Sequence, residues 1–356
     1  MTPTKLLCDM GQSLWLDNIT RDLLTSARLE RYISELSVTG LTSNPTIFYK
    51  ALQTSTAYDQ QIRESVAAGR DGEALFFDLA LRDLTAAADL FRPVHERTAR
   101  VDGWVSLEVS PLLARNTVAT LVAAKSLHAR VDRPNLMIKI PGTIEGLPAI
   151  EEATFAGVPI NVTLLFSPEH YLAAAAAYLR GIERRIVAGL NPEVCSVASL
   201  FVSRWDTAVA GHVPAALSNR LGIAVAKRTY RVYFELITSR RWQRALNAGA
   251  RPQRLLFAST GTKDPSVPAS LYVEALAAPM TVNTIPEQTL ETFAAHGAVE
   301  SMLSIDGGDC EAVLAEASRA TIDVAALATR LQDEGATAFI ASWRKLLNII
   351  ATKSRG

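Results

Sequence analysis

The chain has 356 residues, enough to enclose a substantial core. Hydrophobic residues make up 49% and charged residues 20%, which excludes a disordered chain. Its 36 basic residues cancel its 36 acidic ones, so no net field draws in nucleic acid or an acidic membrane surface.

The first residues, "MTPTKLLCDMGQSLWLDNITRD", contain no apolar stretch of signal-peptide length. No run of ~18 apolar residues follows, so no membrane span is expected. Cys8, Cys195 and Cys310 show no paired spacing, which suits a reducing cytoplasm without disulfides. Ser13–Asp17 is the first candidate strand, followed by the helical pattern "DLLTSARLERYISEL". Val38–Thr42 is the second, running into "TSNPT" and then the long helical "EALFFDLALRDLTAAADLFRPVHERTA". Trp104–Val109 precedes the helical "ARNTVATLVAAKSLHARV". Leu136–Ile140, Pro159–Leu164 and Val194–Phe201 come next, with the alanine-rich helix "YLAAAAAYLRGIERRI" among them. The basic run Arg240, Arg241, Arg244 lies in a helical pattern and reads as a solvated face. Arg254–Ala258 and Met280–Thr284 complete eight strands. "IDGGDC" at 305–310 reads as a cap before a long helical tail, Glu311 to Ser354.

Alternating strands and helices argue for α/β architecture with a parallel sheet. Eight such units without a Gly-rich dinucleotide fingerprint favour a single (β/α)8 barrel over residues 1–356; an open doubly wound sheet is the alternative. A barrel collects its working groups at the C-terminal ends of its strands. Those ends carry Asp17, Thr42 with Asn44, Glu108, Lys139, Asn161 with Thr163, Ser199, and Ser259.

Lys139 is the least ordinary of them, set in "NLMIKIPGT" among Leu136, Met137, Ile138 and Ile140. A snorkelling or ion-paired strand lysine is the plain reading. A lysine desolvated among apolar groups is instead an amine nucleophile, able to form a Schiff base with a ketone. That chemistry needs two proton-transfer groups in different environments, and Asp17 and Glu108 are the candidates. Asp17 can equally be a helix N-cap, since "LDNITRDLL" opens a helix. Thr163 is suited to position a water between Glu108 and the lysine. Asn44 and Asn161 offer donors and acceptors to sugar hydroxyls, although "TSNPT" can also be a turn with Pro45 at the first helical position. Arg204, Ser259 and Lys263 are phosphate candidates, the last two in the loop "STGTKD". The histidines (His95, His128, His170, His212, His296) are scattered without metal-ligand spacing, so no metal is expected.

In order and spacing, "GLTSNPTIF", "VSLEVSP", "NLMIKIPGT", "PINVTLLF", "ASLFVSRWD" and "ASTGTKDP" resemble the transaldolase family, in its longer bacterial form, over nearly the whole chain. The resemblance implies Lys139 as the Schiff-base lysine and Asp17 as the acid/base at the cleaved bond. It implies Glu108 as the carboxylate working through a water held by Thr163. Thr42, Asn44, Asn161, Ser199 and Phe201 fall among the residues around the dihydroxyacetone unit, and Arg204 on a phosphate-binding arginine. Shorter members carry a second arginine after strand seven; this chain has none there, and Lys263 stands as its substitute. The implied reaction moves a dihydroxyacetone unit from sedoheptulose 7-phosphate or fructose 6-phosphate to an aldose phosphate, with no cofactor. The implied setting is the cytoplasmic pentose phosphate pathway, as a monomer or homodimer, with no fused isomerase domain. Fructose-6-phosphate aldolases are the nearest alternative; they are much shorter and tend to carry tyrosine where Phe201 stands. A catalytically silent barrel used as a scaffold is a further alternative, set against by the complete trio Asp17, Glu108 and Lys139.

Overall fold

Alternation along each strand sends odd and even side chains to opposite faces. In the computed structural model, which describes residues 2–355, the strands are Ser13–Leu16 (β1), Val38–Thr42 (β2), Trp104–Glu108 (β3) and Leu136–Pro141 (β4). Ile160–Leu165 (β5), Ser196–Phe201 (β6), Gln253–Ala258 (β7) and Val282–Ile285 (β8) follow. Each strand pairs in parallel with the next, and helices fill the crossovers. The β1–β8 ladder, Ser13↔Val282 through Leu16↔Ile285, closes the barrel and rules out the open sheet.

One face of each strand looks outward. Leu14, Leu16, Val105, Leu107, Ile138, Ile140, Ile160 and Val162 join the surrounding helices in one buried cluster. Inside, Trp15, Trp104, Met137, Val197, Leu256 and Val282 fill the N-terminal half of the barrel. A polar plug lies beneath them. Asp102 accepts from Ser13 Oγ (2.5 Å) and Trp15 Nε1 (3.1 Å), and pairs with Arg254 at 3.3 Å. The filled half leaves the polar strand ends facing the other way.

Local chemistry revises several expectations. Residues 22–36 form two helices, Arg21–Thr25 and Arg28–Glu35, because Ala27 turns left-handed at φ +57°. The cap of the first is Thr20, whose hydroxyl accepts from Leu23 N at 3.1 Å; Asp17 is not a cap. The C-terminal tail is likewise two helices, Cys310–Arg319 and Val324–Lys353, parted where Thr321 takes φ +63°. Asp309 occupies the cap position of the former, but its carboxylate goes to Lys227 (2.7 Å) and Arg220 (3.2 Å) instead. Strands β6 and β8 each start two residues later than their apolar runs suggest, at Ser196 and Val282. Arg240, Arg241 and Arg244 are exposed, as a solvated face should be.

The last helix crosses the C-terminal end of the barrel. Gln332 Nε2 donates to the carbonyls of Gly142 (3.2 Å) and Leu164 (2.9 Å). Leu164 is itself left-handed, at φ +61°, inside the register break between Val162 and Leu165. Further along, Ser342 meets Thr46 at 2.9 Å and Trp343 Nε1 donates to Glu73 at 2.7 Å. Among the described residues no helix is long and apolar enough to cross a membrane.

Gly40 of β2 marks how tightly the interior is filled. A Cβ there would lie 2.7 Å from both the Trp104 carbonyl and Trp15 Nε1. Gly40→Ala should therefore lower unfolding free energy by roughly 1–3 kcal/mol, the usual range for overpacking. Denaturant titration checks this, and an unchanged midpoint would contradict the packing described.

Candidate active site

Strand parity decides what Lys139 meets. Ile138 and Ile140 point out to the helices, whereas Met137 points inward and Lys139 follows the same parity. The isoleucines that make the lysine look desolvated in sequence are therefore not its surroundings. Its Nζ lies 3.7 Å from Glu108 Oε2, 3.3 Å from the Ser43 carbonyl oxygen, and 6.0 Å from the centroid of Phe339. Register explains the pairing: Glu108 of β3 stands opposite Lys139, and Lys139 stands opposite Asn161 of β5. Water is kept off the ammonium by barrel closure, which leaves the residue only 5% exposed.

The two carboxylates sit in different settings. Glu108 is buried, and desolvation pushes its carboxyl up to about 7. The Lys139 ammonium opposes that rise and the Asp17 carboxylate adds to it. Both Glu108 oxygens and the hydroxyl of Thr163 are buried with no hydrogen-bond partner. Asp17 follows β1. Protein encloses it, and the part of its surface that stays open faces a cavity. Burial raises its carboxyl, against the pull of Lys139, a hydrogen bond from Thr42, and Lys263. Thr42 Oγ1 bonds Asp17 at 2.9 Å and Thr284 Oγ1 at 2.7 Å. On the far side of Lys139, Ser199 donates to Asn161 at 2.7 Å and Asn161 donates to Ser106 at 3.1 Å.

These groups border a cavity of about 300 Å³ at the C-terminal strand ends. Asp17, Thr42, Asn44, Lys139, Ser199, Phe201, Arg204, Ser259 and Lys263 line it. Glu108, Asn161 and Thr163 do not line it; they are buried on the strands that flank Lys139. Asn44 serves two ends: its Oδ1 caps the helix Pro45–Thr54 by accepting from Ile47 N at 3.1 Å, which leaves its amide donors available. Ser259 holds φ +57°, with its hydroxyl 2.8 Å from that of Ser203. Arg204 and Lys263 are exposed at the mouth and form no ion pair among the described residues.

Sequence reasoning missed Lys50, Thr284 and Phe339, all on the cavity wall. Lys50 had a local signal. Four residues after Thr46, it shares that residue's helix face and adds a third cation to the mouth. Phe339 had none, since its place depends on how the last helix crosses the barrel. A second cavity, about 390 Å³, opens at the N-terminal end. Its Arg254 and Arg251 are tied to Asp102 and Glu193, and it holds no lysine, so it offers no comparable chemistry. Among the described residues no cluster of three or more His, Cys, Asp or Glu side chains could hold a metal.

The fold and the site together define a (β/α)8-barrel enzyme whose buried lysine stands beside two carboxylates at the strand ends. A profile of the Transaldolase/Fructose-6-phosphate aldolase family matches residues 14–350, and the chain belongs to that family. It is 44% identical to a protein named transaldolase from Thermobifida fusca (strain YX), over 98% of each chain. It is 43% identical to one of the same name from Parafrankia sp. (strain EAN1pec), covering 98% of this chain and 97% of the relative. A third transaldolase, from Thiobacillus denitrificans (strain ATCC 25259 / T1), is 42% identical over 98% of this chain and 99% of its own.

The electrostatics carry a direct test. The folded Glu108 carboxyl titrates near 7, above its ordinary value of 4.5, so the folded state holds this proton more tightly than the unfolded one. Its contribution to stability is full below 4.5 and is lost as pH rises through about 7. Infrared difference spectra should show a protonated carboxyl that disappears near pH 7 in the wild type and is missing in Glu108→Gln. Lys139→Met should move that titration up and Asp17→Asn should move it down. A carboxyl already ionised at pH 5 would contradict the assignment.

Proposed function

We propose that this chain is a transaldolase acting as one catalytic domain over residues 1–356. It moves a dihydroxyacetone unit from sedoheptulose 7-phosphate or fructose 6-phosphate to an aldose phosphate such as glyceraldehyde 3-phosphate. The observation that carries the reading is the buried Lys139 ammonium, 3.7 Å from Glu108 and facing the same cavity as Asp17. The names of its relatives support it.

The Lys139 ammonium passes a proton to the Glu108 carboxylate 3.7 Å away, and the resulting amine attacks the ketose C2 carbonyl to give a carbinolamine. Glu108, with a carboxyl near 7, is protonated often enough at neutral pH to release the departing hydroxyl as water. Thr163, unpaired and buried on a strand that flanks Lys139, holds that water. Asp17 takes the proton of the C4 hydroxyl, the C3–C4 bond breaks, and its electrons pass into the iminium to leave an enamine. The aldose phosphate departs. Attack of the enamine on a second aldehyde runs the same steps backward.

Thr42, Asn44, Asn161 and Ser199 answer the hydroxyls of the three-carbon unit, and Phe201 packs against it. Arg204, Ser259 and Lys263 take the phosphate, and Lys50 adds a cation at the same mouth. No metal or cofactor enters this scheme. Its setting is the non-oxidative pentose phosphate pathway in the cytoplasm, as a monomer or homodimer, without nucleic-acid or membrane partners.

Borohydride reduction in the presence of fructose 6-phosphate should leave a dihydroxyacetone adduct on Lys139, found by peptide mass mapping and lost in Lys139→Ala. Full activity in Lys139→Ala would sink the scheme. Arg204→Ala should raise KM for fructose 6-phosphate about 10- to 100-fold, the worth of a charge-assisted hydrogen bond, with kcat little changed. An unchanged KM would remove Arg204 from phosphate binding.

A further inference from the structure

Phe339 is a phenyl ring brought from the last helix to the cavity at the strand ends that Lys139 lines. Its centroid lies 6.0 Å from Lys139 Nζ, inside the range of a cation–π contact. It is only 8% exposed. Phe201 meets it edge-on at 6.5 Å, and Phe201 in turn rests on Phe166 at 5.3 Å. Phe339 and Phe201 line the cavity and Phe166 backs Phe201, which makes an apolar shelf beside the polar groups. The helix is tied to the barrel rim two turns before the ring, where Gln332 donates to the Gly142 and Leu164 carbonyls. That makes the shelf a fixed feature of the site.

From this we infer that Phe339 is a specificity-determining residue that keeps solvent from the nitrogen-bound enamine. The inference rests on the Lys139 Schiff base proposed above. An enamine at Lys139 has two fates. Its carbon can attack an aldehyde, forming the new carbon–carbon bond. Alternatively that carbon takes a proton from water, giving an iminium and hydroxide. The hydroxide then adds to the iminium carbon, the carbon–nitrogen bond breaks, and free dihydroxyacetone leaves the restored amine. The second fate consumes one water overall and needs no acceptor. An aromatic ring beside the nitrogen occupies the volume a water would need to protonate the enamine carbon. Transfer is thereby favoured over loss.

The test compares wild type, Phe339→Leu, Phe339→Ala and Trp343→Phe, with fructose 6-phosphate as donor and erythrose 4-phosphate as acceptor. The readout is dihydroxyacetone released per sedoheptulose 7-phosphate formed. This ratio does not depend on how much enzyme is folded. Phe339→Ala should raise it roughly tenfold or more, and Phe339→Leu, which keeps apolar bulk, should raise it less. Trp343→Phe loosens the same helix away from the site and should leave the ratio at the wild-type value. In heavy water the extra dihydroxyacetone should carry one carbon-bound deuterium. Equal ratios in wild type and both Phe339 variants would overturn the inference, as would an equal rise in Trp343→Phe. If Phe339→Ala does not fold, Phe339→Leu carries the comparison alone. Borohydride trapping on the wild type separates the two levels of the argument. A Lys139 adduct with ratios unchanged across the variants defeats only the role of Phe339, whereas no adduct and no transfer in wild type defeats the function itself.

Discussion

An ammonium inside a closed barrel must be answered by charge, and Lys139 is answered by Glu108 at 3.7 Å. A buried pair of this kind is seldom a gain in stability, because desolvating both ions offsets most of their attraction. The proposed reaction gives the pair a use that stability does not. Desolvation holds the Glu108 carboxyl near 7, where it can serve as acid or base at neutral pH. Asp17, tied to Thr42 and open to the cavity, is the second carboxylate in a different setting. Strand register enforces the arrangement: Glu108, Lys139 and Asn161 stand level on three adjacent strands.

The two ends of the barrel divide the work. Bulky side chains and the Asp102–Ser13–Arg254 plug fill the N-terminal half and fix its shape. The C-terminal half is left polar, with Lys50, Arg204 and Lys263 at its mouth. In the proposed reaction, a phosphate held by these cations leaves the reacting carbons near Lys139. The last helix covers part of the opening and brings the Phe339 ring to 6.0 Å from Lys139 Nζ.

Much of this was legible in the amino-acid order. The eight strands follow from short apolar runs, and their polar ends supply Asp17, Thr42, Asn44, Lys139, Ser199 and Ser259 to the cavity lining. Lys139 drew notice because an ammonium is rare in such a run. Ile138 and Ile140, the apolar neighbours in sequence, face the helices, and it is barrel closure that buries the lysine. Short-range backbone turns escaped notice: nothing in the residue types at Ala27 or Thr321 announces a left-handed break. Asp17 offered two readings in sequence, and the cap reading falls because Thr20 caps the helix that follows. Phe339 lies 200 residues beyond Lys139 in the numbering and meets it only through the packing of the last helix. Contacts of that kind are a property of the closed fold and leave no local pattern.

The central claim is that the two carboxylates divide the proton transfers around Lys139. Quench-flow with fructose 6-phosphate, following both the lysine adduct and the released glyceraldehyde 3-phosphate, tests it most directly. Glu108→Gln should form the adduct roughly 10²-fold more slowly or worse. Asp17→Asn should form it readily and then stall, accumulating adduct without release. Adduct formation at the wild-type rate in Glu108→Gln, or normal release in Asp17→Asn, would contradict the account.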